Sequence, residues 1–335
     1  MKAHLREGLP EARAWPVKRI GSGLKATSAR AASALPALVM LLAVIVCNAW
    51  LQPDFLTADS LASNMQNAAP VILICMAQAV VVLMGELDLS VGAGISLVNC
   101  VLAATPGLMG WGTGATCLAG LAAALLAGAC NGFLVGYARQ SALIATFATG
   151  AVWFGCALLL MPQPGGTVPD ALGEWFAARI GVIPVAALPV LAAVVIWAVL
   201  QRHRFGRRLI ATGSNADAMF KVGVDVRLVK LLGYMLAWLF VFAAAVCLSA
   251  QTASGDARLG LSYTLNSVAA VVIGGISLTG GRGSMLGAIC GALVLALIGN
   301  VVYFAGIPSN YREVFKGAVI VIALGFTFVG AKKRA

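Results

Sequence analysis

The stretch Leu89–Ala138, LSVGAGISLVNCVLAATPGLMGWGTGATCLAGLAAALLAGACNGFLVGYA, contains no Asp, Glu, Lys, Arg or His. A helix rises 1.5 Å per residue, so about 20 apolar residues cross a ~30 Å hydrocarbon core. This stretch is long enough for two crossings. Pro106, Gly107, Gly110, Gly112 and Gly114 lie near its middle and supply a turn between them. Further charge-free stretches lie on either side: Ala31–Pro53, Ser60–Gly85, Gln140–Pro169, Ile180–Gln201, Leu231–Gly255, Leu259–Gly281 and Gly283–Tyr311. With a shorter one after Lys316, they predict ten membrane segments. The cores are 34–51, 61–84, 89–105, 115–137, 142–161, 183–200, 231–251, 265–279, 285–305 and 313–330. The predicted fold class is all-α and polytopic. Composition agrees, with 61% hydrophobic and 10% charged residues. Soluble domains carry roughly 25% charged residues. That balance excludes a water-soluble globular enzyme, and it excludes a disordered chain, which needs low hydrophobicity and high charge.

The net charge of +11 suggests nucleic acid in a soluble protein, but here charge follows topology. With the N-terminus cytoplasmic, the inside segments hold Lys2 to Arg30, Arg139, the loop Gln201–Lys230 with seven basic and two acidic residues, Arg282, and Lys332 to Arg334. The outside segments hold Asp54, Asp59, Asp170, Glu174, Arg179, Asp256, Arg258, Arg312 and Glu313, and Lys316 is the one awkward residue near that side. An even number of spans puts both basic termini inside. The expected organisation is a basic tail over 1–33, a transmembrane domain over 34–331 and a basic tail over 332–335. No nucleic-acid partner is implied. The first apolar run is read as a retained helix, because a signal peptide has a shorter one and a small-residue cleavage site.

Eight cysteines lie inside apolar runs with no C-x-x-C pair, so they read as small hydrophobes. His4 and His203 are far apart in sequence and suggest no metal site. No G-x-x-x-x-G-K-[ST] occurs, so no phosphate-binding loop is expected on this chain. Gly128–Val152 and Leu297–Val319 look alike. Each places an asparagine (Asn131, Asn300) near a helix end, then a polar turn, then a helix with Gly-Ala-Val in it. The copies are five spans apart and so opposite in orientation, which predicts a 5+5 inverted repeat.

Three segments interrupt the apolar chain. Gly85-Glu-Leu-Asp-Leu-Ser-Val-Gly92 brings Glu86 and Asp88 to a place where a charge costs about 3 kcal/mol or more. It reads either as a cytoplasmic turn, with Asp88 or Ser90 capping the next helix, or as a helix break lining a transport path. Ser277-Leu-Thr-Gly-Gly-Arg-Gly-Ser284 reads as a tight turn with Arg282 at the headgroups, or as a bend or gate at Gly280 and Gly281. In the loop 201–230, Ser214-Asn215-Ala216-Asp217 fits a capping box. The helix it opens would run through Ala218 to Val222, expose Met219, Phe220 and Val222, and end at Gly223. Such a helix fits a partner's groove or a bilayer surface.

These segments resemble the permease subunits of ribose-type ABC sugar importers. Gly85–Gly92 is similar to the family's Gly-Gly-Ile-Asp-Leu-Ser-Val-Gly signature. Phe205–Ala218, through Val222-Gly-Val-Asp-Val, is similar to its cytoplasmic loop, and Ala269–Ser284 to its third block. The blocks stand in family order, and the resemblance spans about residues 35–330. Glu86 stands where the family often has Gly, and Asp217-Ala218 where it often has Ala-Ala. The resemblance implies a second permease subunit and a cytoplasmic ATPase pair that holds ATP and magnesium and grips 214–223 as a coupling helix. It also implies an external sugar-binding protein and a place in the bacterial plasma membrane among its lipids. The chain itself would hold no cofactor and carry no catalytic residue. Asp88, Ser90, Asn99 and Asn131 become candidates for the path or the helix break. Two rivals are an ion-coupled transporter, for which Glu86 and Asp88 are the plausible ion ligands, and a non-transporting membrane scaffold.

Overall fold

The computed structural model describes residues 23–308, with 311, 314–315 and 317–318. Most of the tenth expected span, the end of the second repeat copy and most of both basic tails lie outside the described residues. The described chain is helical apart from one two-stranded ribbon. In order come α1 (Gly23–Leu51), α2 (Ala58–Leu83), α3 (Val91–Met109), α4 (Thr113–Gly136), α5 (Ala142–Leu160), α6 (Asp170–Ala177), β1 (Arg179–Ile180) and β2 (Ile183–Pro184). Then follow α7 (Ala187–Arg202), α8 (Arg204–Ser214), α9 (Ala216–Lys221), α10 (Val226–Thr252), α11 (Leu261–Ile273) and α12 (Met285–Phe304). Seven helices among the described residues are long and apolar enough to span a membrane. The count is eight if α7 and α8, bent 79° to each other, are taken as one broken span.

α2 is the axis of the bundle. From Ala68 to Leu83 it is buried at nearly every position, as its all-round apolar sequence requires. α10 packs against α2, α3 and α4, while α12 packs against α1, α2 and α11. α1 and α5 keep apolar faces open, with Leu42, Val46, Ile144, Phe147 and Leu159 exposed, as lipid-facing helices do.

Helix ends sort into two groups. One gathers the ribbon, α6 and the acids: Arg179 pairs with Asp59 at 2.5 Å, and Gly165 and Gly255 exchange backbone hydrogen bonds. The other gathers the loop after α2, the segment 201–230 and the loop before α12. There the Gly281 N–H donates to the Leu83 carbonyl at 3.0 Å. These are the acidic and basic ends of the molecule.

Two expected boundaries change. The segment placed at 265–279 begins at Leu261 and stops at Ile273, because Gly274 and Gly275 (φ +75°) turn the chain. Its thirteen residues rise only about 20 Å. They suffice because the chain after α10 first turns back into the bundle. Asn99 Oδ1 accepts from the Asp256 N–H at 2.8 Å, and Ser96 Oγ from the Gly260 N–H at 3.0 Å. The Gly92 N–H donates to Thr264 Oγ at 3.1 Å. From Asn99 to Gly92 is about 10 Å along α3. The segment placed at 183–200 is α7, which starts at Ala187 and breaks at His203, whose side chain accepts from the Phe205 N–H at 3.3 Å.

Candidate functional site

The loop from Met84 to Ser90 turns back into the bundle in the same way, entering from the basic end. Its first residues cap α2: the Gly85 N–H donates to the Val82 carbonyl and the Glu86 N–H to the Val81 carbonyl. Glu86 forms an ion pair with Lys230, four residues into α10. Two residues on, Asp88 meets Trp238, about 12 Å further along the same helix.

Asp88 is fully buried. Its Oδ1 accepts from the Ser90 N–H at 2.8 Å and the Ser90 hydroxyl at 2.5 Å. Its Oδ2 accepts from Trp238 Nε1–H at 2.9 Å and from Asn131 Nδ2–H at 3.4 Å. Asn131 also donates to Ser90 Oγ at 2.7 Å and accepts from the Thr149 hydroxyl at 2.7 Å. Thr146 Oγ1 accepts from the Leu89 N–H at 3.0 Å, and the Tyr234 hydroxyl lies 3.4 Å from the Leu87 carbonyl. Four donors around an acceptor-only carboxylate offset much of what it costs to bury one. The indole that supplies one of them fits because α3 and α4 present Gly94 and Gly128. An added Cβ would lie 2.7 Å from the Trp238 ring at Gly94 and 2.7 Å from Trp238 Cβ at Gly128.

The knot therefore joins Asp88, Ser90 and Asn131 of the sequence candidates. Glu86 stands apart in its ion pair. Asn99 is also buried, but belongs to the dip from the acidic end, where its Nδ2 donates to Ser249 Oγ at 2.8 Å and the Ser254 carbonyl at 3.1 Å. Neither Asp88 nor Ser90 caps α3 through its side chain. Ser90 holds the N-cap position, but its hydroxyl is taken by Asp88, and Thr264 of α11 serves the helix start instead. Sequence reasoning missed Trp238, Thr146, Thr149, Tyr234 and Lys230. One signal was legible: Thr146 and Thr149, three apart, share one face of α5 beside Gly150.

In the segment 201–230 the correction concerns the cap. Ser214 closes α8, and the N-cap of α9 is Asn215, whose Oδ1 accepts from the Ala218 N–H at 2.9 Å. Ser214 Oγ lies 3.3 Å from the Ile210 carbonyl. Asparagine serves because α8 and α9 share this one extended residue between them (φ −163°, ψ 97°). α9 holds Ala216, Asp217, Ala218, Met219, Phe220 and Lys221, with Val222 as its C-cap. Gly223 (φ +81°) ends it as expected. Phe220 is 70% and Val222 74% exposed, whereas Met219 is half-buried, a correction to its expected exposure. α8, absent from the sequence reading as a helix, buries Leu209 and Thr212 and leaves Arg204, Arg207 and Arg208 outward or partly so. In the loop before α12, Gly280 is buried, Gly281 half-buried and Arg282 exposed.

Residues 60–324 match the permease family described as branched-chain amino acid transport system / permease component. The chain belongs to this family. Among its relatives, the ribose import permease protein RbsC of Bacillus subtilis is 33% identical over 86% of this chain and 90% of its own length. RbsC of Escherichia coli is 30% identical over 86% and 91%. The galactofuranose transporter permease protein YtfT of Escherichia coli is 29% identical over 87% and 88%. No solved structure matches the chain. Permeases of this family are multi-pass membrane proteins, and the long apolar helices give this member the same character.

Proposed function

We propose that the chain is the transmembrane subunit of an ATP-driven importer that carries a small neutral polyhydroxylated solute, a monosaccharide above all, into a bacterium. The observation that carries the reading is α9. A six-residue helix is marginal alone, yet this one is held by its Asn215 cap and by α8, and it presents Phe220 and Val222 beyond the basic end. A short anchored helix with an exposed aromatic suits the groove of a separate motor subunit. The relatives, named for ribose and galactofuranose, support a sugar over an amino acid despite the family's description.

The basic end is then cytoplasmic, with both termini on that side of the inner membrane. The remaining spans bring the count to ten in two inverted halves. A second permease copy completes the path, an ATPase pair binds ATP and magnesium, and an external binding protein docks on the acidic end. Alternating access follows from ATPase closure moving α9. The ion-coupled alternative is weakened by the acids themselves: Glu86 is paired with Lys230, and Asp88 already accepts four hydrogen bonds.

Reconstitution in vesicles with the cognate ATPase and binding protein tests the proposal. Sugar uptake that requires ATP is expected. Uptake driven by a sodium or proton gradient without ATP would establish the ion-coupled reading instead, and no uptake with all partners present would favour a scaffold.

A further inference from the structure

α8 ends where two loops of the basic end meet it, and the meeting point is made almost wholly of backbone. Gly213 is the penultimate residue of α8. A Cβ there would lie 2.0 Å from the Leu83 carbonyl oxygen, 2.8 Å from the Met84 carbonyl carbon and 2.9 Å from Gly281 N. A Cβ at Gly280 would lie 2.5 Å from Gly85 Cα and 2.7 Å from the Gly213 oxygen. Gly85 (φ +87°) and Gly280 (φ +82°) hold left-handed conformations that place their chains in this contact. The Gly281 N–H to Leu83 carbonyl bond fastens one loop to the other, and Ser214 Oγ lies 3.5 Å from the Gly281 carbonyl.

Each partner of this joint leads elsewhere. Gly213 is two residues from Asn215, the pivot to α9. Gly85 opens the loop that runs through Glu86 to the Asp88 knot. Gly280 lies in the loop that turns α11 into α12. The segment 201–230 is thus fastened to the Met84–Ser90 loop twice, at Gly213 and again through Lys230 to Glu86. Backbone seated on backbone has no side-chain rotamer to absorb a push, and close-packed contacts transmit displacement.

We propose that Gly213, seated against Gly85 and Gly280, is the positioning residue through which movement of α9 reaches both loops. The proposal rests on the reading of the chain as an ATP-driven permease. Gly213→Ala forces α8 off the joint, since a carbon 2.0 Å from an oxygen must retreat on the order of 1 Å or more.

The test compares Gly213→Ala with wild type in vesicles holding the complete transporter. Gly114→Ala, where an added Cβ meets nothing within 4 Å, is the control. The expected result is an assembled Gly213→Ala transporter that spends about tenfold more ATP per solute imported, within the range of coupling losses between sites. Gly114→Ala keeps the wild-type ratio. A wild-type ratio in Gly213→Ala overturns the proposal. Should that variant fail to assemble, hydrogen exchange on the wild-type complex decides. Trapping nucleotide on the ATPase changes the exchange of the Gly281 amide and of amides 85–90, and identical exchange in the two states overturns the joint. Absence of ATP-dependent uptake by wild type would instead overturn the importer reading, independently of the ratio.

Discussion

The substitution Asp88→Asn keeps the shape of the side chain and changes what it accepts. Asp88 presents two acceptor oxygens, one to Ser90 and one to Trp238 and Asn131. The substituted amide has one oxygen and one NH₂. If the oxygen faces Ser90, the NH₂ faces the Trp238 N–H and leaves it without an acceptor. Turned over, it orphans the Ser90 N–H and takes the acceptor from the Ser90 hydroxyl as well. Asn131 keeps Ser90 Oγ in either case. At least one fully buried donor is left without an acceptor each time, which costs about 1–3 kcal/mol. Trp238→Phe removes the same donor, so the two changes are not independent. The double variant Asp88→Asn/Trp238→Phe is expected to be more stable than the sum of the singles by about 1 kcal/mol or more, as neighbours sharing one hydrogen bond behave. Thermal unfolding of the purified protein in lipid nanodiscs reads this, at roughly 1–2 °C per kcal/mol for a chain of this length. The reasoning fails if Asp88→Asn leaves the midpoint unchanged, or if the singles add within about 0.5 kcal/mol.

Lys230→Met strands Glu86 in a half-buried position and is expected to lower the unfolding midpoint, while Glu86→Gln/Lys230→Met recovers most of the loss; equal midpoints for single and double variants would show the pair to be idle. Asn99→Ala frees the Asp256 N–H, the Ser249 hydroxyl and the Ser254 carbonyl, and is expected to cost about 1–3 kcal/mol and to raise proteolytic cleavage within 253–260; an unchanged digest would refute the anchoring of that segment. Phe220→Asp is expected to leave membrane insertion intact and to abolish sugar-stimulated ATP hydrolysis, measured against Val222→Asp as a second change on the same exposed surface; normal stimulation in both would remove α9 as the coupling element.

Periodicity and hydropathy made the bundle legible, because a run such as Leu89–Ala138 admits almost no other reading. They misplaced the spans where the chain folds back on itself. Asp256 and Arg258 looked like an outer loop and Leu259–Gly281 like one crossing, yet Asn99 and Ser96 draw 254–260 alongside α3. The Gly85–Gly92 interruption announced a break through its two acids. Their different fates were hidden because the partners lie on α10: Lys230 closed a loop by its charge, and Trp238 was one aromatic among apolar residues. The Asn215 cap was masked by Ser214, which fits the sequence pattern but sits one residue early, inside α8. The joint at Gly213 left almost no trace in sequence, since a glycine in an amphipathic helix is ordinary until its neighbours are known.

The bond between Asp88 and Trp238 spans 150 residues of chain. A ribosome adding about 5–20 residues per second needs roughly 8–30 s to supply the second partner after the first. Over roughly the last half of that interval α2 to α5 have been synthesised with an acid inside them whose indole does not yet exist. Ser90 and Asn131 are the partners already made, so the early half of the protein carries its own temporary shelter for the charge. Arrival of α10 completes the knot, and it also brings Lys230 to Glu86. Assembly of this bundle therefore has a late closing event, and a defect confined to α10 exposes an unfinished acidic loop to quality-control proteases rather than merely weakening a finished protein.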